Sequence, residues 1–253
     1  MIEVAYKFYP SLLDRFQSLL DTSLYFESDM NWDDKAGDYR RSEEDIAHER
    51  EVDLLNAVNR VPHPPIEAAD LGTCFNNVVD YLVAGVPLSC DPSVRMEMDG
   101  FTFDYDGGLC RDVATMLSGA VSQCFTQAVL PTRYGGVLLY GYPDYWCADG
   151  SVVDLKTTSR YTWPKYDRHW QRWVYPWCLR EQRDAKVDWF SFLVVKWKKP
   201  TKAEPYYRGE IFKEDYAYDH ADATRRLQAV CERFVEWLEA HREMITDTKI
   251  FAQ

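Results

Sequence analysis

The chain has 253 residues, 46% of them apolar, 15% aromatic and 28% charged, with 29 basic against 41 acidic side chains and a net charge of −12. That composition excludes a fibrous or largely disordered chain and suits one globular domain with a full hydrophobic core. No window approaches the roughly 18 uninterrupted apolar residues of a spanning helix, and Met1-Ile2-Glu3-Val4 lacks a basic stretch followed by an apolar core, so a soluble, cytoplasmic protein with no membrane partner is expected.

Residues 9–26 place Leu12, Leu13, Phe16, Leu19 and Leu20 at helical spacing behind Pro10 and Ser11. Residues 27–50 are polar and charge-dense and read as a loop passing into a solvated helix that runs through 49–58. Pro62, Pro64 and Pro65 stop any helix, and another opens at Ala69-Asp70-Leu71-Gly72, carrying Phe75, Val78, Val79, Tyr81 and Leu82. Asp99-Gly100 and Asp106-Gly107-Gly108 mark turns about a short strand at 101–103, and residues 110–124 read as a helix. Short β-rich runs at 127–131, 137–142, 151–155 and 189–197 predict strands, with a helix over 168–182 between the last two. Residues 222–244 predict a long amphipathic helix with Leu227, Val230, Phe234, Trp237 and Leu238 on one face. This order predicts an α/β fold in one domain, mainly helical over 1–125, with a mixed-sheet core over 126–200 and a strand and helix over 201–253.

Seven cysteines, at 74, 90, 110, 124, 147, 178 and 231, are well separated and form no CxxC pair. The spacing suits reduced thiols and argues against an iron–sulfur cluster or a structural zinc. Charge is uneven: residues 1–150 carry 10 basic against 25 acidic groups, residues 151–202 carry 12 against 5, and residues 203–253 carry 7 against 11. The middle segment, net +7, can present a phosphate-binding face within an acidic chain. Merely balancing its acidic neighbours is the other reading.

The informative string is Gly141-Tyr142-Pro143-Asp144 followed by Ser151-Val152-Val153-Asp154-Leu155-Lys156-Thr157-Thr158. Residues i and i+2 of a strand share a face, so Asp154 and Lys156 point one way and Leu155 the other, into the core. If Asp144 ends the neighbouring strand, a hairpin through Ala148-Asp149-Gly150 brings the two carboxylates together. Two carboxylates, a backbone carbonyl (Leu155) and waters make an oxygen-ligand Mg²⁺ site, while Lys156 positions a water or neutralises developing charge. Three other Asp-x-Lys copies, at 33–35, 184–186 and 247–249, lack an apolar strand run with an aspartate about ten residues upstream. Gln171 and Tyr175 lie four apart on the next helix, hence on one face. Each group also has an ordinary reading: Asp144 as a turn residue, Asp154 and Lys156 as a surface ion pair, Gln171 and Tyr175 as helix-face residues. The five histidines share no metal spacing. The tryptophans at 163, 170, 173, 177, 189 and 197 suit core packing better than stacking on bases.

This run resembles the PD-(D/E)XK nuclease superfamily, in its RecB-like and RecE-like exonuclease branch, where a G-x-x-D strand, a D-x-K-T strand and a Q-x-x-x-Y helix follow in this order. Pro10-Ser11-Leu12-Leu13-Asp14-Arg15-Phe16 is similar to the branch's opening S-x-L-x-x-F helix, and Leu71-Gly72-Thr73-Cys74-Phe75-Asn76 to its L-G-T-x-x-H motif, so the resemblance runs from about residue 10 to 200. It implies a restriction-endonuclease-like sheet core and Mg²⁺- or Mn²⁺-dependent DNA hydrolysis. Asp144 and Asp154 correspond to the metal-binding carboxylates, Lys156 to the catalytic lysine, and Gln171 and Tyr175 to the last motif. The chain departs from the pattern at Asn76, where histidine is usual, with Asp80 one turn later where an acid often sits. Asn76 either offers an amide oxygen to the cation or marks a silent enzyme. Arg160, Lys165, Arg168 and Arg172 are the candidate contacts to the DNA backbone. The expected partner is DNA, as linear duplex or single-stranded ends; a homo-oligomer, a recombination partner protein and a phage-type role in end processing stay open. The alternatives are a silent nuclease fold that binds DNA or protein, and an acidic DNA mimic built on the −15 segment.

Overall fold

Residues 3–252 are described by the computed structural model. The chain opens on a strand that its patterning does not announce, β1 (Val4–Phe8), followed by α1 (Pro10–Leu20) with Pro10 in its first turn. The single helix expected over 9–26 is broken at Asp21, after which α2 (Thr22–Phe26) starts afresh. A small hairpin, β2 (Trp32–Asp33) and β3 (Asp38–Tyr39), leads to α3 (Glu43–Val58), where Ser42 caps the first turn by accepting from Asp45 N at 3.1 Å. Next come α4 (Glu67–Val83) and the hairpin β4 (Ser93–Met98) and β5 (Phe101–Asp106). The helix expected over 110–124 is α5 (Gly107–Met116): Asp106 caps it by accepting from Leu109 N at 2.9 Å, and the left-handed Gly119 turns the chain away.

The remaining elements build the sheets. They are β6 (Val121–Ser122), β7 (Thr126–Thr132), β8 (Gly135–Gly141), β9 (Tyr145–Trp146), β10 (Val152–Thr158), α6 (Gln171–Arg183), β11 (Trp189–Lys198), β12 (Arg208–Ala217) and α7 (His220–Ala240). A three-stranded sheet runs β1-β8-β7, with β1 parallel to β8. A five-stranded mixed sheet runs β12-β11-β10-β9-β6, with β10 and β11 parallel. The α/β expectation is met, with helices flanking mixed sheets.

One detail differs from expectation and shapes the site. The strand leading to Asp144 does not pair with β10; β8 belongs to the other sheet, and the chain changes sheets at Tyr142-Pro143, where proline offers no ladder N–H. Only the two residues of β9 pair with β10, through Tyr145 with Val153 and Trp146 with Val152.

Across β10, β11 and β12 the register aligns Asp154, Phe192 and Glu214 on one face. That face carries Val152, Phe190, Phe192 and Val194 into a core closed by α1, α6 and α7, with Leu12, Phe16, Leu227 and Phe234. The opposite face sends Val153, Leu155, Leu193 and Val195 into a second core with Phe75, Val78, Tyr105 and Val113 from α4, β5 and α5. Both faces are covered, which accounts for the nearly continuous apolar run of β11. All seven cysteines are free thiols. Among the described residues no helix is long and apolar enough to cross a membrane.

Candidate active site

β10 places Asp154 and Lys156 on one face, under the N-terminus of α6. Asp154 is 1% exposed, so the pair is not a surface ion pair. Its Oδ1 accepts from Gln171 Nε2 at 2.7 Å, and its Oδ2 lies 2.7 Å from Lys156 Nζ, off the line of a hydrogen bond. Lys156 Nζ donates in turn to Gln171 Oε1 at 2.6 Å and sits 5.7 Å from the Phe192 ring centre. Gln171 thus donates to the carboxylate and accepts from the ammonium. Burial alone would lower the Lys156 pKa, but attraction to the Asp154 carboxylate at 2.7 Å, helped by Asp144, outweighs it and raises the group, which stays an ammonium.

Asp144 reaches β10 where β9 ends. Beyond Val153 the outer edge of β10 has no strand beside it, and Leu155 N–H donates instead to Asp144 Oδ2 at 2.8 Å. Burial, and then the neighbouring Asp154 charge, push the Asp144 carboxyl well above the usual range; Lys156 and the Leu155 amide oppose them. Gln123 Nε2 bridges Asp144 Oδ1 at 3.3 Å and Asp80 Oδ2 at 3.4 Å, and the Gln123 amide donates to the Asp144 carbonyl at 2.9 Å. Tyr145 donates its hydroxyl to Asp80 Oδ1 at 2.6 Å. Burial raises Asp80 against the pull of these two donors.

Gly72, Asn76 and Asp80 recur every four residues of α4 and so share a face. Gly72 abuts β10 closely enough that a Cβ there would lie 2.6 Å from Thr157 Oγ1. Asp80 joins Asp144 through Gln123, which leaves Asn76 between these two anchors with its buried Oδ1 unpartnered. Tyr175 lies one turn beyond Gln171, 6% exposed, and its ring packs on Gly141.

The four basic candidates are not gathered on one patch. Arg160 and Lys165 are exposed just past β10. Arg168 pairs with Asp21 at 3.2 Å, and Arg172 is half-buried, its guanidinium 3.9 Å from the Tyr216 ring centre and 4.5 Å from that of Trp173. These two line a separate cavity of about 610 Å³ whose walls include none of the site's acids. Trp170, Trp177 and Trp197 pack in the cores, whereas Trp163 and Trp189 are 68% and 52% exposed.

Three contributors had no expected role. Gln123 and Tyr145 hold the acids from outside the motif strings. Asp14 of α1 accepts from Trp170 N at 2.7 Å and faces His169 Nδ1 at 3.1 Å, fixing the start of α6 where Gln171 projects.

Among the described residues no three His, Cys, Asp or Glu side chains cluster as a metal site. Asp144, Asp154 and the unpartnered Asn76 oxygen are nevertheless hard oxygen donors, of the type Mg²⁺ and Mn²⁺ take with waters completing the shell.

No protein-family model matches the chain, and no curated protein matches it. Four solved chains do. One, the protein SSO0001, is 11% identical with a TM-score of 0.44, the match covering 94% of this chain and 79% of that one. Another, from Eubacterium rectale and provisionally named an exonuclease, is 14% identical with a TM-score of 0.45, over 77% of this chain and 75% of that one.

Proposed function

We propose that the chain is a metal-dependent deoxyribonuclease of the PD-(D/E)XK kind, acting on DNA ends. The observation that carries this reading is the closed ring of Asp154, Lys156 and Gln171 beside Asp144, at a strand edge left open by β9. Asp144 and Asp154, with the Asn76 oxygen, would hold the cation, which when bound polarises a phosphate oxygen and acidifies a water. Lys156, kept charged, acts as a donor that orients the attacking water and offsets negative charge developing on the phosphoryl group, rather than as a base. Gln171 fixes the ammonium by its oxygen and Asp154 by its nitrogen. Water attacks phosphorus as the bridging P–O bond breaks, with no covalent enzyme intermediate.

A catalytically silent fold that still binds DNA is the second reading, favoured by the neutral Asn76 at the position where the resembling nucleases carry histidine. Digestion of linear and closed-circular DNA with Mg²⁺ or Mn²⁺, wild type beside Lys156→Ala, tests the proposal. Cleavage of linear DNA by the wild type alone supports it, and the circular substrate tells whether a free end is needed. No cutting by either protein under either metal moves the silent fold ahead.

A further inference from the structure

Past Thr158 the chain does not leave the sheet. Residues 159–167 fold back over the Asp154 face: the Tyr161 ring lies 4.6 Å from that of Phe212, and the amides of Lys165 and Tyr166 donate to Glu214 at 2.8 and 3.1 Å. Glu214 is fully buried, so this anchor is shielded from water. Lys165 Nζ ties the segment again, to the Arg160 carbonyl at 2.7 Å and to Thr158 Oγ1. The pinned segment presents Trp163, 68% exposed and the most exposed large apolar side chain among the described residues. An ordered segment that spends its only tryptophan on solvent has a rigid stacking surface, which costs little further ordering on binding.

The surroundings are cationic. Thr158 is in register with Lys196 at the same end of the sheet. Lys196 and Lys198 share one carboxylate, Glu210, at 3.8 and 2.8 Å. Among the described residues Arg160, Lys165 and Lys199 have no ion-pair partner within 4.0 Å.

We propose that this end of the sheet is a landing site for an unpaired DNA end: the Trp163 indole stacks on a terminal base, and Arg160, Lys165, Lys196 and Lys198 take its phosphates. A base inside a duplex has both faces occupied, so an exposed ring favours a terminal or single-stranded base. The proposal rests on the nuclease reading of the adjoining site for its purpose, not for its binding chemistry.

Anisotropy of a labelled single-stranded DNA oligonucleotide in EDTA, where nothing is cut, tests it across a salt series. Trp163→Ala should weaken binding about tenfold, while Trp163→Phe keeps most of it because a ring remains. The double variant Lys196→Gln/Lys198→Gln should flatten the slope of log K against log salt by about 1.4. Unchanged affinity in Trp163→Ala, or no binding by the wild type, overturns the proposal. A protein that never cuts DNA yet loses oligonucleotide affinity in Trp163→Ala refutes the nuclease reading and leaves the landing site standing.

Discussion

Lys156 keeps its charge where burial opposes it, because the Asp154 carboxylate lies 2.7 Å away and Asp144 adds to its pull, while Gln171 fixes the ammonium by accepting from it at 2.6 Å. Removing Gln171 leaves the acid and the ammonium each short of a partner in a low-dielectric place, where an unmade hydrogen bond costs about 1–3 kcal/mol. Gln171→Ala should therefore lower stability by that order in denaturant titration and slow cleavage about ten- to hundredfold, the usual effect of loosening a supporting partner. Asp154, Lys156 and Gln171 were legible in the sequence because strand alternation and helix periodicity fix their faces locally. Gln123 and Asp14 were not: they meet Asp144 and Trp170 across 21 and 156 residues, and no spacing rule encodes such a meeting.

The strands and helices set these side chains by close approach as well as by register. Gly141 ends β8 against Tyr175 of α6, where an added Cβ would fall 2.8 Å from the ring. Gly141→Ala should cost about 1–3 kcal/mol by overpacking, and adding Tyr175→Leu should recover part of it, as read from paired unfolding curves. Glu214 of β12 holds residues 159–167. Burial pushes its carboxyl up, but hydrogen bonds from Tyr216 and from the Lys165 and Tyr166 amides outweigh that and hold it below the usual glutamate range. A depressed folded-state pKa adds stability above the unfolded value that is lost as pH falls through the folded one. Glu214→Gln should thus be less stable than wild type at pH about 7, by about 1–3 kcal/mol, with the gap closing in acid; a gap that widens in acid contradicts the anchor. Strand positions were legible from β-rich runs, but their sheet membership was not. The change of sheets at Pro143 depends on β1 claiming the edge of β8, a pairing between residues far apart in the chain.

The whole molecule is organised about the two covered faces of β10 and β11, one core holding the ring of polar groups at its margin and the other backing it with α4 and α5. The general α/β order was readable because strong apolar runs and helix caps state element type. The basic segment was readable as charge but not as geometry: Arg168 and Arg172 turn to Asp21 and to aromatic rings, while Arg160 and Lys165 stay at the strand end beside lysines of β11. Charge counted along a chain carries no direction, and only the fold separates cations aimed at solvent from those spent on neighbours. The proposed phosphodiester hydrolysis depends on the Lys156 ammonium held by Asp154 and Gln171. Its most direct test is the single-turnover cleavage rate of an end-labelled linear duplex in Mn²⁺, wild type against Lys156→Met, with circular dichroism confirming that both are folded. A loss of at least about a hundredfold is the predicted result; a folded Lys156→Met protein that cleaves at the wild-type rate contradicts it.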